Sequence, residues 1–174
     1  MKVEVLPHNL IWRSKFEDET KLIAPVFANN LVTIHHIGST AIPHIYAKPI
    51  IDILVEVNNI SKVDELCSAM TALSYEVMGE FGIPGRRYFR KDDVTGTRTH
   101  HVHTFEVASL EVKRHLAFRD YMIAHPETAQ RYSELKRKLA KQYPNDINGY
   151  MDGKDGFIKE IEKKALIWKT LSKS

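Results

Sequence analysis

Residues 35–57 read HHIGSTAIPHIYAKPIIDILVEV, and their reading decides the fold. A short apolar run ends in Gly38-Ser39. Thirteen residues after Ser39, Asp52 interrupts a strand-like segment that is otherwise almost wholly apolar. An unpaired buried carboxylate is costly, so Asp52 needs a partner or lines a site. Side chains alternate across a strand. Ile51, Ile53, Val55 and Val57 therefore form an apolar face, and Ile50, Asp52, Leu54 and Glu56 form the other. The pattern predicts one face on the core and one lining a cleft.

Outward from this stretch, the chain reads as alternating elements. LVTIHHI (31–37) and PIIDILVEV (49–57) are rich in β-branched residues and read as strands. Residues 2–6 alternate like a short edge strand. SKFE (14–17) resembles a capping box and predicts a helix start, with Phe16, Ile23, Val26 and Phe27 on its apolar side and a kink or split at Pro25. SKVDELCSAMTAL (61–73) carries Val63, Leu66, Met70 and Leu73 at helical spacing. YEVM (75–78), RRYFRK (86–91) and THHVHTFEVA (99–108) read as further strands, and helices are expected near 110–124, 127–143 and 147–171. Tyr132, Leu135 and Leu139 mark one buried helical stripe, and Phe157, Ile158, Ile161, Ala165 and Trp168 another. The expected class is α+β: one domain over 1–174, with a small mixed sheet in 1–108 and a helical portion in 109–174.

The 174 residues are 43% hydrophobic and 27% charged, a globular composition. No apolar run approaches the ~20 residues of a membrane helix. The first residues, MKVEVLPHNLIWRSKFEDE, lack a secretory apolar region, and Cys67 is the only cysteine, so the expected compartment is the cytoplasm, with no membrane partner. The net charge of +3 is uneven: residues 131–174 hold 11 Lys and Arg against 6 Asp and Glu. That excess reads as a solvated helix surface or as attraction for a phosphate-rich ligand or nucleic acid. No RNA-binding aromatic motif accompanies it.

Gly38-Ser39 at a strand end, followed by Asp52 on the next strand, resembles the nucleotidyltransferase superfamily signature: Gly-Ser, about a dozen residues, then Asp-x-Asp or Asp-x-Glu. The resemblance implies a glycine-serine turn for nucleotide phosphates and carboxylates for a divalent metal. The second carboxylate belongs at residue 54, which is Leu54. Glu56 is no equivalent, because at ~3.3 Å per residue its Cα lies about 13 Å from that of Asp52. Two-metal sites hold their ions only ~3.5–4 Å apart.

HIGSTAIP, AKPIIDILV, GIPGRRYF, THHVH, LAFRDYMIAHPE and the helix around FIKEIEKKA occur in this order. Together, over roughly residues 10–168, they resemble the GrpB family, a nucleotidyltransferase-fold group whose members occur alone or fused behind dephospho-coenzyme A kinase. The resemblance implies a mixed sheet with a C-terminal helical portion. One departure is His44, where the family usually has glycine after Pro43; it bears on the loop 43–47.

The candidate site follows. Asp52 is the candidate catalytic carboxylate and metal ligand; its bland reading is a carboxylate satisfied by backbone N–H groups or by Lys48. Gly38, Ser39 and Lys48 are candidate phosphate contacts, although Ser39 also reads as a helix cap. Of the arginines after the Pro-Gly turn, Arg86 and Arg90 share a strand face with Tyr88, and the family resemblance favours Arg87 as the one serving the ligand. In THHVH, His101 and His103 point to one side and His100 to the other. Two neutral imidazoles two apart on a strand can ligate one metal, and with Asp52 they make a two-histidine, one-carboxylate set. The alternative is a set of hydrogen-bonded histidines. Arg119-Asp120 reads as a local ion pair and Cys67 as a small core residue.

Three functions fit these residues: transfer of a nucleotidyl group or another reaction on a phosphate-bearing substrate; a non-catalytic module binding a nucleotide or related anion; and a metal-dependent enzyme using Asp52, His101 and His103. Leu54 favours the second and third. The expected cofactor is a divalent metal, and the expected partner is a nucleotide or other phosphate-containing small molecule.

Overall fold

A computed structural model describes residues 2–172. They divide into two compact units, a sheet unit (10–38 and 50–112) and a helical unit (2–9, 39–49 and 113–172).

The sheet unit begins with α1 (Ile11–Phe27), followed by β1 (Leu31–Ile37) and β2 (Ile51–Val57). Short 3-10 turns over Ile60–Leu66 lead into α2 (Cys67–Ala72), then β3 (Tyr75–Gly79), β4 (Arg87–Asp92) and β5 (Arg98–Glu106). The strand order is β1-β2-β5-β4-β3. Only β2 and β5 run parallel; the other neighbours are antiparallel. The β2–β5 register sets Asp52 opposite His101 and Leu54 opposite His103. Ile51, Ile53, Val55 and Val57 are all buried, as the alternation predicts.

The other face of β2 is more closed than the sequence suggests. Leu54 is fully buried, and Glu56 is buried with its Oε2 2.6 Å from His35 Nε2. Asp52 is the one partly exposed residue of the strand. The two acids therefore differ in role: Glu56 has a cross-strand partner on β1, and Asp52 looks toward β5.

α1 covers the apolar face of the sheet. Trp12, Glu19, Ile23 and Phe27 are its buried residues. Glu19 is held there by two donors, the Tyr75 hydroxyl at 2.6 Å and the Lys91 ammonium, with His100 Nε2 3.7 Å away. Burial opposes its ionisation, but the Lys91 and Tyr75 hydrogen bonds outweigh this and lower its pKa.

Several boundaries differ from expectation. α1 starts at Ile11, so SKFE lies inside it and caps nothing; Leu10 already has helical backbone angles, and burial of Trp12 rewards the earlier start. Pro25 does not split the helix, because only two residues follow it before the end at Phe27. The expected helix over 61–73 is 3-10 up to Leu66 and α-helical only from Cys67 to Ala72, with the Asn59 side chain accepting the Ser61 N–H at 3.0 Å. Cys67 is half-buried instead of lying in the core.

The helical unit contains α4 (Pro126–Gln142) and α5 (Ile147–Ser172), together with most of α3 (Leu110–Ala124). Residues 2–6 form no strand. Leu6 alone bridges Ala47, through two 2.9 Å backbone hydrogen bonds. Ile42, Ile45, Met122, Ala129, Tyr132 and Ile161 make one core, with Phe157 and Ile158 packed on it. Val3, Leu139 and Tyr150 make a second. Gly153 permits the close approach of α5 to α4, since a Cβ there would stand 2.4 Å from the Leu139 side chain. Asp120 accepts from Lys169 at 2.6 Å and pairs with Arg119 at 2.9 Å, tying α3 to α5. Among the described residues, no helix is long and apolar enough to cross a membrane.

Candidate functional site

Strand pairing builds the site. β2 and β5 are hydrogen-bonded neighbours in a register that aligns Asp52 with His101, and His103 follows two residues later on the same face. Their side chains converge on one oxygen: Asp52 Oδ1 lies 3.1 Å from His101 Nδ1 and 3.3 Å from His103 Nε2. The three ligand atoms lie within 4.8 Å of one another. Bonds of about 2.0–2.2 Å to a tetrahedral ion place neighbouring ligand atoms roughly 3.3–3.6 Å apart. The two contacts to Asp52 are already close to that spacing, and the donor types suit a transition metal.

Gly38 completes the wall on the β1 side. Its φ of +74° is one that other residues rarely adopt, and a Cβ there would stand 2.5 Å from Asp52 Oδ2. The glycine that sequence reading associates with a ligand thus makes room first for the carboxylate. β4 supplies the other side. The Tyr88 ring stacks on His103 at 5.2 Å and meets His101 edge-on at 5.7 Å.

The electrostatics favour an ionised Asp52. Burial opposes its charge, yet the hydrogen bonds from His101 and His103 prevail and hold the carboxyl well below the usual carboxylate range. Its side chain remains 25% exposed, leaving it a route to solvent. The Tyr88 phenol is pushed up by burial and by the Asp52 charge, so it stays a neutral hydroxyl.

Arg86 is the functional candidate that sequence reading passed over. Its Nη1 lies 3.3 Å from His103 Nδ1, while Nε and Nη2 donate to the Glu80 and Phe81 carbonyls at 3.1 and 2.9 Å. Arg87 lies one alternation away and forms a two-toothed ion pair with Asp64, at 2.7 and 3.3 Å. Half of the signal was in the sequence, where Arg86 shares Tyr88's face; the other half, the alignment of Tyr88 with His103, comes from the strand register. Because a guanidinium only donates, His103 Nδ1 must accept here, which puts the ring proton on Nε2, facing Asp52.

His100 is on the opposite side of the sheet, near Glu19, as the alternation requires. Ser39 and Lys48 lie in the helical unit. Ser39 opens a 3-10 turn, and its carbonyl accepts the Ile42 N–H at 3.1 Å. The Lys48 ammonium lies 5.8 Å from the centre of the Tyr150 ring. His44 has φ +66°, a conformation that favours glycine.

The fold defines a mixed α+β protein with an Asp-His-His group on its sheet. The family model described as GrpB protein matches residues 2–164, and the chain belongs to the GrpB family. It is 47% identical over 168 residues to UPF0157 protein YqkA of Bacillus subtilis, spanning 97% of this chain but only 48% of that relative. A crystal structure of the conserved protein GrpB from Enterococcus faecalis superposes with a TM-score of 0.91 at 44% identity, covering 95% of this chain and 99% of that one. A more distant match, 21% identical over 193 residues, covers 46% of a dephospho-CoA kinase of Mycolicibacterium paratuberculosis, in keeping with the expected occurrence of this domain beside that kinase.

Proposed function

We propose that this protein binds a phosphate-bearing small molecule of nucleotide type through a divalent cation held by Asp52, His101 and His103. The observation that carries the reading is the convergence of two imidazole nitrogens, at 3.1 and 3.3 Å, on one oxygen of an ionised carboxylate. A cation there would be left with open positions for phosphate oxygens. Arg86, 3.3 Å from His103, adds a positive charge beside them.

One feature favours binding over nucleotidyl transfer. Leu54, fully buried, stands where a second carboxylate would complete a two-metal site. In either reading, cation binding requires His103 to give up the Nε2 proton that the Arg86 contact places there. The resemblance to nucleotidyltransferases supplies the ligand class, and the residues supply a one-cation version of that site. If the reading is right, calorimetry with Mn²⁺ or Zn²⁺ gives one cation per chain, and a ribonucleoside triphosphate then binds in the micromolar to millimolar range. Absence of nucleotide heat in the presence of bound cation would reduce the function to cation binding alone.

A further inference from the structure

In the helical unit, Lys136 and Tyr150 carry orphaned polar atoms that the Asp52 group does not use. Lys136 on α4 is 1% exposed, and Tyr150 on α5 is fully buried. Lys136 Nζ and Tyr150 Oη are both enclosed, with no hydrogen-bond partner. An enclosed polar group without a partner is costly, and two in one neighbourhood call for an occupant. Lys136 Nζ sits 4.4 Å from the Tyr132 ring centre. The ammonium groups of Lys154 and Lys48 lie 5.0 and 5.8 Å from the centre of the Tyr150 ring, and both side chains are half-buried.

We infer that Lys136 and Tyr150, with Lys154 and Lys48 around them, form a binding site for a multiply charged oxyanion of phosphate type. Lysine ammonium groups bind phosphate as point charges, and the tyrosine hydroxyl supplies a directional donor. Burial and the neighbouring Lys154 charge push the Lys136 amine down to about 6, so at neutral pH it awaits both a proton and a counter-ion. Anion binding supplies the counter-ion and draws in the proton. The site needs neither Asp52 nor a metal, so it stands or falls separately from the reading above.

The test is calorimetry on the full chain with inorganic phosphate and pyrophosphate, in a chelator, against acetate and chloride at equal ionic strength. At pH 7.5, binding should take up close to one proton, seen as a dependence of the heat on the buffer's ionisation enthalpy. Lys136→Met should weaken pyrophosphate at least tenfold, Tyr150→Phe about threefold, and Arg13→Gln, an exposed charge outside both sites, not at all. Should Lys136→Met fail to fold, Tyr150→Phe and the parent's Lys136 side-chain resonances, which should move to the charged form on adding phosphate, decide the matter. No binding of either anion would mean that a buried water satisfies the two atoms, and would overturn the inference. So would binding that both variants leave intact, or acetate binding as tightly as pyrophosphate.

Discussion

Gly38 stands so close to Asp52 that a Cβ on the glycine would lie 2.5 Å from the Asp52 carboxylate. The turn after β1 is thus fitted to a side chain of β2, and the carboxylate's position depends on the absence of a side chain across from it. Gly38→Ala adds both this clash and a left-handed backbone at an L residue, φ +74°. The backbone conformation alone costs about 1–2 kcal/mol. Urea denaturation should show at least that loss, and cation affinity should fall with it because the carboxylate must move. An unchanged midpoint and affinity would show that Asp52 is not held by this contact.

The proton on His103 gives a second, less intuitive expectation. Arg86 makes Nδ1 an acceptor and so disfavours metal at Nε2. Glutamine can accept a hydrogen bond from Nδ1–H, the arrangement that metal-bound histidines favour. Arg86→Gln should therefore tighten cation binding several-fold while weakening any phosphate ligand. Arg87→Gln, whose parent side chain pairs with Asp64, should do neither. Competition with a fluorescent chelator would measure both.

Lys136 fixes the sign of one pH dependence. Its folded pKa is lowered from 10.5 to about 6, so between those values the unfolded chain holds a proton that the folded chain lacks. Stability from this group therefore rises with pH through the window, by up to about 1.4 kcal/mol per unit. The penalty is complete below the folded value. In phosphate-free buffer at pH 6, 7 and 8, the stability gap between Lys136→Met and the parent should narrow as pH rises. A constant gap would contradict a neutral buried amine.

The sheet was legible because its strands alternate cleanly. Ile51 to Val57 declared the apolar face, and THHVH declared that His101 and His103 oppose His100. Register was not legible, since period-two patterns fix faces and not partners. Only the parallel pairing of β2 with β5 makes Asp52 and His101 neighbours. The start of α1 and the 3-10 stretch over Ile60–Leu66 were hidden because tertiary burial of Trp12 and the Asn59 cap outweigh local capping and periodicity signals. Arg86 was hidden by a preference taken from family resemblance, where strand alternation placed it with Tyr88. Lys136 and Tyr150 lay on helix stripes, and nothing in the sequence distinguishes an orphaned buried amine from a solvated one.

His44 occupies a backbone conformation, φ +66°, that favours glycine. Gln130 donates to its backbone carbonyl at 2.9 Å, a contact that survives loss of the imidazole. His44→Gly should relieve strain of about 1–2 kcal/mol, partly offset by roughly 0.5–1 kcal/mol of added freedom in the unfolded chain. A net gain of up to about 1.5 kcal/mol in urea denaturation is expected. A clear loss would show that the histidine side chain stabilises the loop.

The most direct test of the cation site is the metal stoichiometry of untagged protein, parent against Asp52→Asn, read by elemental mass spectrometry after equilibration with Mn²⁺ or Zn²⁺ and desalting. The asparagine keeps the size of the side chain and removes the charge on which His101 and His103 converge. The account predicts about one cation per chain in the parent, a small fraction of that in Asp52→Asn, and melting temperatures within a few degrees of each other. A parent that retains no cation, or a variant that retains as much as the parent, would contradict it.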